Sequence, residues 1–206
     1  MFCTGSDKGI ILQGNIGEIG DVTGFQAVND AANANTDFGI RANTIRFATT
    51  TAERARVTDN GITFNGDTAA ANALDDYEEG VWYPVIATQN GNTNATYTYN
   101  QGYYTKIGRI VYASAYVAWT GATNHSGYIY FNNFPFSSAN LSQLNQVGTV
   151  MMHSLPFPSN HTDACLYMGS NSPGTNLYYS GSNTGWAAGG NSNSGEIIFS
   201  ITYTTS

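Results

Sequence analysis

Charged side chains are scarce in this 206-residue sequence. They make up 10% of it, against about a quarter in ordinary soluble domains. The 7 lysines and arginines are outnumbered by 14 aspartates and glutamates, which gives a net charge of -7. Because an anionic surface repels phosphate backbones, this balance argues against nucleic-acid binding through a basic face.

Long apolar runs and cysteine patterns are missing too. No stretch approaches the roughly 20 apolar residues of a membrane span, and the opening "MFCTGSDKGIILQGN" lacks a signal peptide's basic and apolar parts. Cys3 and Cys165 show neither CxxC nor the Cys/His spacing of a zinc site. We therefore expect no membrane insertion, no secretory export, no disulfide framework and no cofactor.

Charge and aromatic residues are segregated along the chain. Residues 1–79 hold 17 of the 21 charged residues, whereas all 14 tyrosines, all 3 tryptophans and all 5 prolines lie at or beyond Tyr77. A single fold rarely divides its composition so sharply. The segregation predicts an N-terminal segment over 1–79 and a separate head over 80–206, with the acidic "LDDYEEG" on the boundary.

The region after Gly80 has the signals of β structure. Its eight runs of β-branched and aromatic residues are bounded by Gly, Asn, Ser or Pro: "VWYPVIAT", "ATYTY", "RIVYASAYVAW", "GYIYFNN", "QVGTVMMHS", "DACLYMG", "TNLYYSG" and "GEIIFSITYTT". "QNGNTN" adds an Asn-Gly hairpin signal. These runs predict an all-β head, an antiparallel sandwich or jelly roll.

The run "RIVYASAYVAW" shows how the strands are expected to pack. Alternate residues lie on opposite faces of a strand, so the face of Val111, Val117 and Trp119 is apolar. The other face carries Ile110 and Tyr112 and is also largely apolar or aromatic. We therefore expect this strand to be covered on both faces.

The N-terminal segment has too few large apolar residues for a core of its own. Ordering each residue costs about 1–2 kcal/mol of backbone entropy, which burial must offset. Its apolar residues recur throughout, unlike those of a disordered chain, so we expect partner chains to order it. "TAAANALDDY" predicts a short helix capped by Asp67 or Thr68. The residues expected to be buried between chains are Ile45, Phe47, Val57, Ile62 and Phe64.

Three motifs carry a resemblance to a known group. "TAERARVTDNGITFNGDT", "LDDYEEGVWYPVI" and "GYYTKIGRIVYASAYVAWTG" occur in this order within residues 36–120. They resemble the C-terminal regions of bacteriophage tail-fibre and related virion-surface proteins, where a shaft element and an acidic hinge precede a β-rich head. Ala55, Val57 and Tyr83 depart conservatively from that pattern.

The resemblance implies a homotrimer in the virion, assembled in the host cytoplasm, with an intertwined shaft and a globular head. It implies that the N-terminal segment, residues 1–35 above all, binds other virion proteins of the tail or capsid. Because the shared motifs are structural, the resemblance implies no catalytic residues in this chain.

Two clusters are candidates for chemistry. The one dense carboxylate group consists of Asp75, Asp76, Glu78 and Glu79. Such a group suits a solvated hinge, a cation site or a glycosidase pair. We favour the hinge and expect no enzyme. "YYSGSNTGWAAGGNSNSG" places Trp186 in a polar, glycine-rich loop after Tyr178 and Tyr179. Aromatic faces beside amides suit carbohydrate.

Three hypotheses follow from these features. The first is a trimeric tail fibre whose head binds a host cell-surface glycan through Trp186, Tyr178 and Tyr179. The second is a capsid decoration or cement trimer that stabilises the capsid. The third is a glycan depolymerase, weakened because Asp163 and Glu196 are the only carboxylates after Gly80.

Overall fold

Strands form along both regions of the chain. The computed structural model describes residues 9–16, 20, 22–88, 91–123, 128–190 and 192–206. Its regular structure there consists of sixteen β-strands and a single 3-10 turn, with no α-helix among these residues. The all-β class is therefore confirmed.

The described residues fall into two compact units. One is formed by those up to Asp59 together with 63–67, and the other by 60–62 and 68–206. Gly80, where composition changes, lies within a strand of the second unit. The acidic segment therefore leads directly into the larger unit's sheet.

The first five strands form two small sheets. They are β1 (Gly9–Ile16), β2 (Val22–Val28), β3 (Ile45–Thr49), β4 (Ala52–Thr58) and β5 (Gly61–Phe64). β1 pairs with β2 in an antiparallel ribbon, and β3, β4 and β5 form a three-stranded sheet in that order.

The helix expected in "TAAANALDDY" is reduced to one 3-10 turn, Ala70–Asn72. The residue at its N-cap position is Ala69, and no side chain caps the turn. Neither Asp67 nor Thr68 stands in the capping position. Without a cap, the exposed amides of a first helical turn stay unpaired, which disfavours a longer helix.

The second unit is built on one large sheet. Its remaining strands are β6 (Tyr77–Trp82), β7 (Val85–Thr88), β8 (Gly91–Asn92), β9 (Thr96–Ile107), β10 (Ile110–Thr120), β11 (Tyr130–Asn132), β12 (Gln146–His153), β13 (Asp163–Met168), β14 (Thr175–Ser180), β15 (Ala187–Ala188) and β16 (Gly195–Thr204). They pair in the order β6-β9-β10-β16-β12-β13-β14-β11-β7-β8, with β15 beside β14. β7 pairs with β8 in antiparallel fashion where the sequence predicts a hairpin; Gln89 and Asn90 of the Asn-Gly signal lie outside the described residues.

This sheet curls back on itself. β11 is the fourth strand from β16 in the pairing order, so a flat sheet would hold them roughly 19 Å apart at about 4.8 Å per strand. Instead, the ring centroids of Phe131 and Phe199 lie 5.1 Å apart. Trp82 of β6 likewise meets Phe134, just after β11, at 4.4 Å. The result is a sandwich-like arrangement around one core.

Burial along β10 follows the expected alternation. The face of Val111, Val117 and Trp119 is buried in the core. On the other face, Ile110 and Tyr112 remain exposed. The described part of the chain does not provide the cover that we expected over Ile110 and Tyr112, so the outer side of the sheet presents an apolar surface there.

A glycine permits the close packing at the start of the head. Gly102 of β9 lies opposite Trp82 in the register of β6 and β9. A Cβ on Gly102 would lie 2.3 Å from the Trp82 indole nitrogen and 2.5 Å from the Ser114 carbonyl oxygen. Any larger residue there would displace Trp82 from the core.

Within the described residues, no helix has the length and apolarity of a membrane span.

Candidate functional site

A cleft of about 290 Å³ opens on the outer side of strands β12, β13 and β14. We call it the Trp186 cleft. Its lining residues are Val147, Cys165, Tyr167, Tyr178, Tyr179, Ser180 and Trp186. All three residues proposed from the sequence for glycan contact therefore border one cavity, although their roles in it differ.

Trp186 is the most exposed aromatic residue of the cleft. Its side chain is 82% exposed and lies in the loop just before β15. An indole this exposed contributes little to the packing of the chain, because its apolar surface stays in water. It is therefore free to contact a ligand or another chain.

Tyr178 and Tyr179 point to opposite sides of β14. Tyr178 packs on the outer side, with its ring centroid 5.5 Å from that of Tyr167 and 6.5 Å from that of Tyr128. Tyr179 is only 1% exposed and packs against Phe157 at 5.0 Å. Burial raises the pKa of the Tyr179 phenol. Tyr179 thus borders the cleft from the core side, and Tyr178 is the one of the pair whose ring faces outwards.

Sequence reasoning missed Tyr167 and Val147 as members of this cleft. They sit directly opposite each other in the register of β12 and β13, on the outer side with Cys165. The signal that could have found them is alternation: in "DACLYMG", Leu166 and Met168 are buried, so Cys165 and Tyr167 face away from the core. Burial raises the pKa of the Cys165 thiol, which disfavours the reactive thiolate.

A histidine ties the Trp186 loop to its neighbour. The His161 Nδ1 atom lies 2.9 Å from the Ser159 carbonyl oxygen, and its Nε2 atom lies 3.1 Å from the Gly185 carbonyl oxygen. Gly181 approaches the same neighbouring loop so closely that a Cβ there would lie 2.0 Å from the Asn160 carbonyl oxygen. These contacts fix the backbone directly before Trp186.

The two histidines that the structure describes, His153 and His161, lie in different contacts. His153 ends β12, the ring nitrogens of His161 lie within hydrogen-bonding distance of the two carbonyl groups described above, and His125 lies outside the described residues. No group of three or more His, Cys, Asp or Glu side chains that could hold a metal occurs in the part of the chain that the structure describes.

The acidic segment is tied into the head by separate pairings. Asp76 forms an ion pair with Lys106, whose side chain is nearly buried. The Lys106 Nζ atom also lies 5.5 Å from the ring centroid of Phe136, within range of a cation–π attraction. A buried ammonium group needs such partners, because leaving water without them is costly.

The glutamates of this segment accept hydrogen bonds from tyrosines. The Tyr104 hydroxyl donates to Glu78, and the Tyr77 hydroxyl donates to Glu79 at 3.1 Å. Each bond stabilises the protonated phenol and raises the pKa of Tyr104 and of Tyr77. Asp76 and Glu78 thus pair with residues of β9 and join the acidic segment to that strand, whereas Glu79 pairs within β6.

The five residues proposed for the shaft lie in the β3–β5 sheet. Ile45 pairs with Val57, and Phe47 pairs with Ala55, in the register of β3 and β4. The Asn65 amide donates to the Arg54 carbonyl at 3.1 Å. In that register Ala55 of β4 has Phe47 of β3 beside it on one edge and Phe64 of β5 beside it on the other.

These residues share one side of their strands and are poorly covered. Phe47 and Phe64 are each 54% exposed, and Val57 and Ile62 are also exposed. The opposite side carries charge, since Arg56 binds Glu53 through two hydrogen bonds of 2.6 and 2.9 Å. That pairing lowers the pKa of the Glu53 carboxyl. Among the residues that the structure describes, this apolar side of the sheet remains exposed.

Comparison of the chain with protein-family models, with curated protein sequences and with solved structures finds no match.

Proposed function

We propose that this protein is a bacteriophage virion-surface structural protein, a trimeric tail fibre whose head binds a host cell-surface glycan without chemical turnover. In this proposal residues 1–79 form the intertwined shaft and attach to other virion proteins. The curled sheet is the jelly-roll-like head. The proposal builds on the resemblance of "LDDYEEGVWYPVI" and the motifs on either side of it to bacteriophage tail-fibre proteins.

The observation that carries the trimer is the open apolar side of the β3–β5 sheet. Phe47 and Phe64 are each more than half exposed in a single chain. Fully burying a side chain of this size is worth about 1.5–3 kcal/mol relative to leaving it in water. Three chains wound around one axis would bury these rings against each other, as the cores of obligate interfaces do.

The outer face of the head also supports association. A soluble antiparallel sheet with one open face usually places polar residues there. Here Tyr103, Tyr112, Ile110 and Val81 are all exposed on neighbouring strands β6, β9 and β10. Exposed apolar patches of this kind usually mark an interaction surface.

The Trp186 cleft supports glycan binding. Trp186 and Tyr178 offer aromatic faces on which the apolar C–H face of a sugar can pack. The Ser180 side chain and the hydroxyls of Tyr167 and Tyr178 supply donors and acceptors for sugar hydroxyls. A cavity of about 290 Å³ lies at the lower end of the range usual for small-ligand sites.

The glycan proposal is tested with labelled protein on host cells. We expect the intact protein to stain the cells, and we expect staining to disappear after surface polysaccharide is stripped. Trp186→Ala should lose the staining, whereas Tyr83→Ala, which removes an exposed aromatic ring outside the cleft, should keep it. Staining that survives both stripping and Trp186→Ala would refute glycan binding at this cleft.

The virion location is tested by labelled-antibody microscopy of purified particles. Label at the tail supports the fibre. Label spread over the capsid, together with particles that become fragile when the protein is lost, would instead identify the decoration or cement protein. Release of reducing ends from host polysaccharide would identify a depolymerase and contradict binding without turnover.

A further inference from the structure

A second cleft lies at one end of the large sheet, among strands β9, β10, β12 and β16. Its volume is about 300 Å³, and it includes Tyr99, Tyr116, His153, Ser154 and Glu196. We call it the Glu196 cleft. The sheet register brings these residues together, because Ala118 of β10 lies between Tyr99 and Glu196, and Glu196 lies beside His153.

The carboxylate of Glu196 is held in a defined orientation. Its Oε1 atom accepts a hydrogen bond from the Tyr116 hydroxyl, and its Oε2 atom lies 3.4 Å from the His153 Nδ1 atom. An ionised carboxylate has about four acceptor positions, so these two neighbours leave capacity for further donors. The Glu196 side chain is 40% exposed, which makes that capacity accessible from solvent.

The ring of Tyr99 forms a platform beside this carboxylate. Its centroid lies 4.7 Å from that of Tyr116, with 21° between the ring planes. Tyr99 remains 54% exposed, so stacking on Tyr116 fixes the ring without covering it. An exposed aromatic ring held in place by a second ring is a preorganised surface for an apolar ligand face.

Hydroxyl groups complete the cleft. Thr98, Thr120, Ser154 and Ser194 line it, and the Ser154 Oγ atom lies 3.3 Å from the His153 Nδ1 atom. Ser154 has a φ of 62°, a left-handed conformation that is costly for a residue other than glycine. Ser154 is the first residue after β12, and in this conformation its hydroxyl lies beside His153.

The combination of groups selects a class of ligand. A fixed aromatic platform suits the C–H face of a sugar ring, and a carboxylate with spare acceptor positions suits neighbouring hydroxyl donors. An anionic sugar or phosphate would be repelled by Glu196. We propose that the Glu196 cleft is a second saccharide subsite, in which Tyr99 supports the ring of a neutral pyranose and Glu196 accepts hydrogen bonds from its hydroxyls.

The experiment titrates the full-length protein with methyl glycosides of glucose, galactose and mannose. Tyrosine ring signals are followed by NMR in protein labelled at tyrosine, because Tyr99 and Tyr116 would both report occupancy. The proposal predicts saturable shifts of these two rings by at least one glycoside, with a millimolar dissociation constant typical of a single sugar. The absence of saturable shifts with every glycoside would overturn it.

Two variants identify the groups involved. Glu196→Gln keeps the shape but removes the charge-assisted acceptor, and about a tenfold loss of affinity is expected. Tyr99→Ala should lose the platform and a comparable factor, whereas Tyr99→Phe should retain binding. Unchanged affinity in Glu196→Gln, with the fold intact by circular dichroism, would overturn the assigned role of the carboxylate.

Matched controls separate this site from the Trp186 cleft and from general effects of charge. Asp163→Asn removes the only other carboxylate after Gly80 and should leave the titration unchanged, as should Trp186→Ala. A response to glucosamine but not to the neutral glycosides would show an ammonium site and refute the saccharide assignment. None of these readouts uses host cells, so the subsite can fail while the proposed fibre stands, and the reverse also holds.

Discussion

The two units of the chain differ in what they bury. The larger unit surrounds a core that includes Trp119, Phe131, Leu166 and Tyr203, each 2% exposed or less. Among residues of the smaller unit whose burial the structure describes, only Val28 and Thr63 are buried. One unit has a core of its own, and the other exposes Phe25, Phe38, Phe47 and Phe64 to solvent.

The difference in burial indicates which interactions can stabilise each unit. A core of some twenty buried hydrophobic residues can offset the entropy of ordering the larger unit. The β3–β5 sheet has no such core within one chain, because its apolar side is open. In our proposal two further copies of the same sheet cover that side and supply the missing burial.

The largest effect is expected from a cavity in the core of the larger unit. Trp119→Ala should lower the free energy of unfolding by about 3–5 kcal/mol, since the indole is fully buried and donates to the Ser192 carbonyl at 3.3 Å. Denaturant unfolding followed by circular dichroism measures it. Trp186→Ala is the control and should stay within about 0.5 kcal/mol. Equal losses in both variants would contradict the assigned core.

The next effect concerns the acidic segment. Asp76→Asn leaves the Lys106 ammonium buried without its partner and should cost about 2 kcal/mol, less than for a fully buried pair because Asp76 is partly solvated. Asp75→Asn removes an equal charge one residue earlier and should change stability little. The same unfolding measurement compares them. A larger loss in Asp75→Asn would show that the cluster does not serve to tie the head together.

A smaller effect tests the open side of the N-terminal sheet. Phe47→Ser should cost about 1–2 kcal/mol per chain if the ring is buried between chains, but almost nothing if it stays in water. The concentration dependence of the unfolding midpoint measures this. Arg46→Ser alters the opposite side of β3, where the side chain is 62% exposed, and should have little effect. Indistinguishable variants would argue against a buried apolar side.

The smallest effect is a titration at the surface of the larger unit. The bond to Glu196 raises the pKa of Tyr116 to about 12. The folded state therefore holds this proton more tightly than the unfolded chain, and the resulting stability, present below pH 10, is lost as the pH rises towards 12. Among the tyrosines that titrate late by ultraviolet absorbance, one fewer should remain in Glu196→Gln, because Tyr116 returns towards its ordinary pKa of 10.0. An unchanged titration would contradict the pairing.

Local patterns predicted much of the larger unit. The eight runs named from the sequence all contain strands, because alternation and β-branched composition act over a few residues. The order of those strands was not predictable in the same way. β16 pairs with both β10 and β12, a set of contacts between distant segments that no short pattern specifies.

The candidate sites show the same limit. Trp186 was found because a tryptophan stood out in a polar loop. Tyr178 and Tyr179 face opposite ways because only one face of β14 meets the core. Leu177 lies two residues before Tyr179 on the same face, so its apolar side chain could have indicated that Tyr179 is the buried one. The pairing of Asp76 with Lys106 joins residues 30 positions apart, and the sequence presented those acids only as a cluster.

Sedimentation equilibrium of the full-length protein tests the central claim most directly. If three chains must bury the open side of the β3–β5 sheet together, the measured mass will be three times the chain mass of 22.0 kDa over the working range of concentrations. A mass of 22.0 kDa at every concentration, with the strands of the smaller unit still formed, would contradict the account.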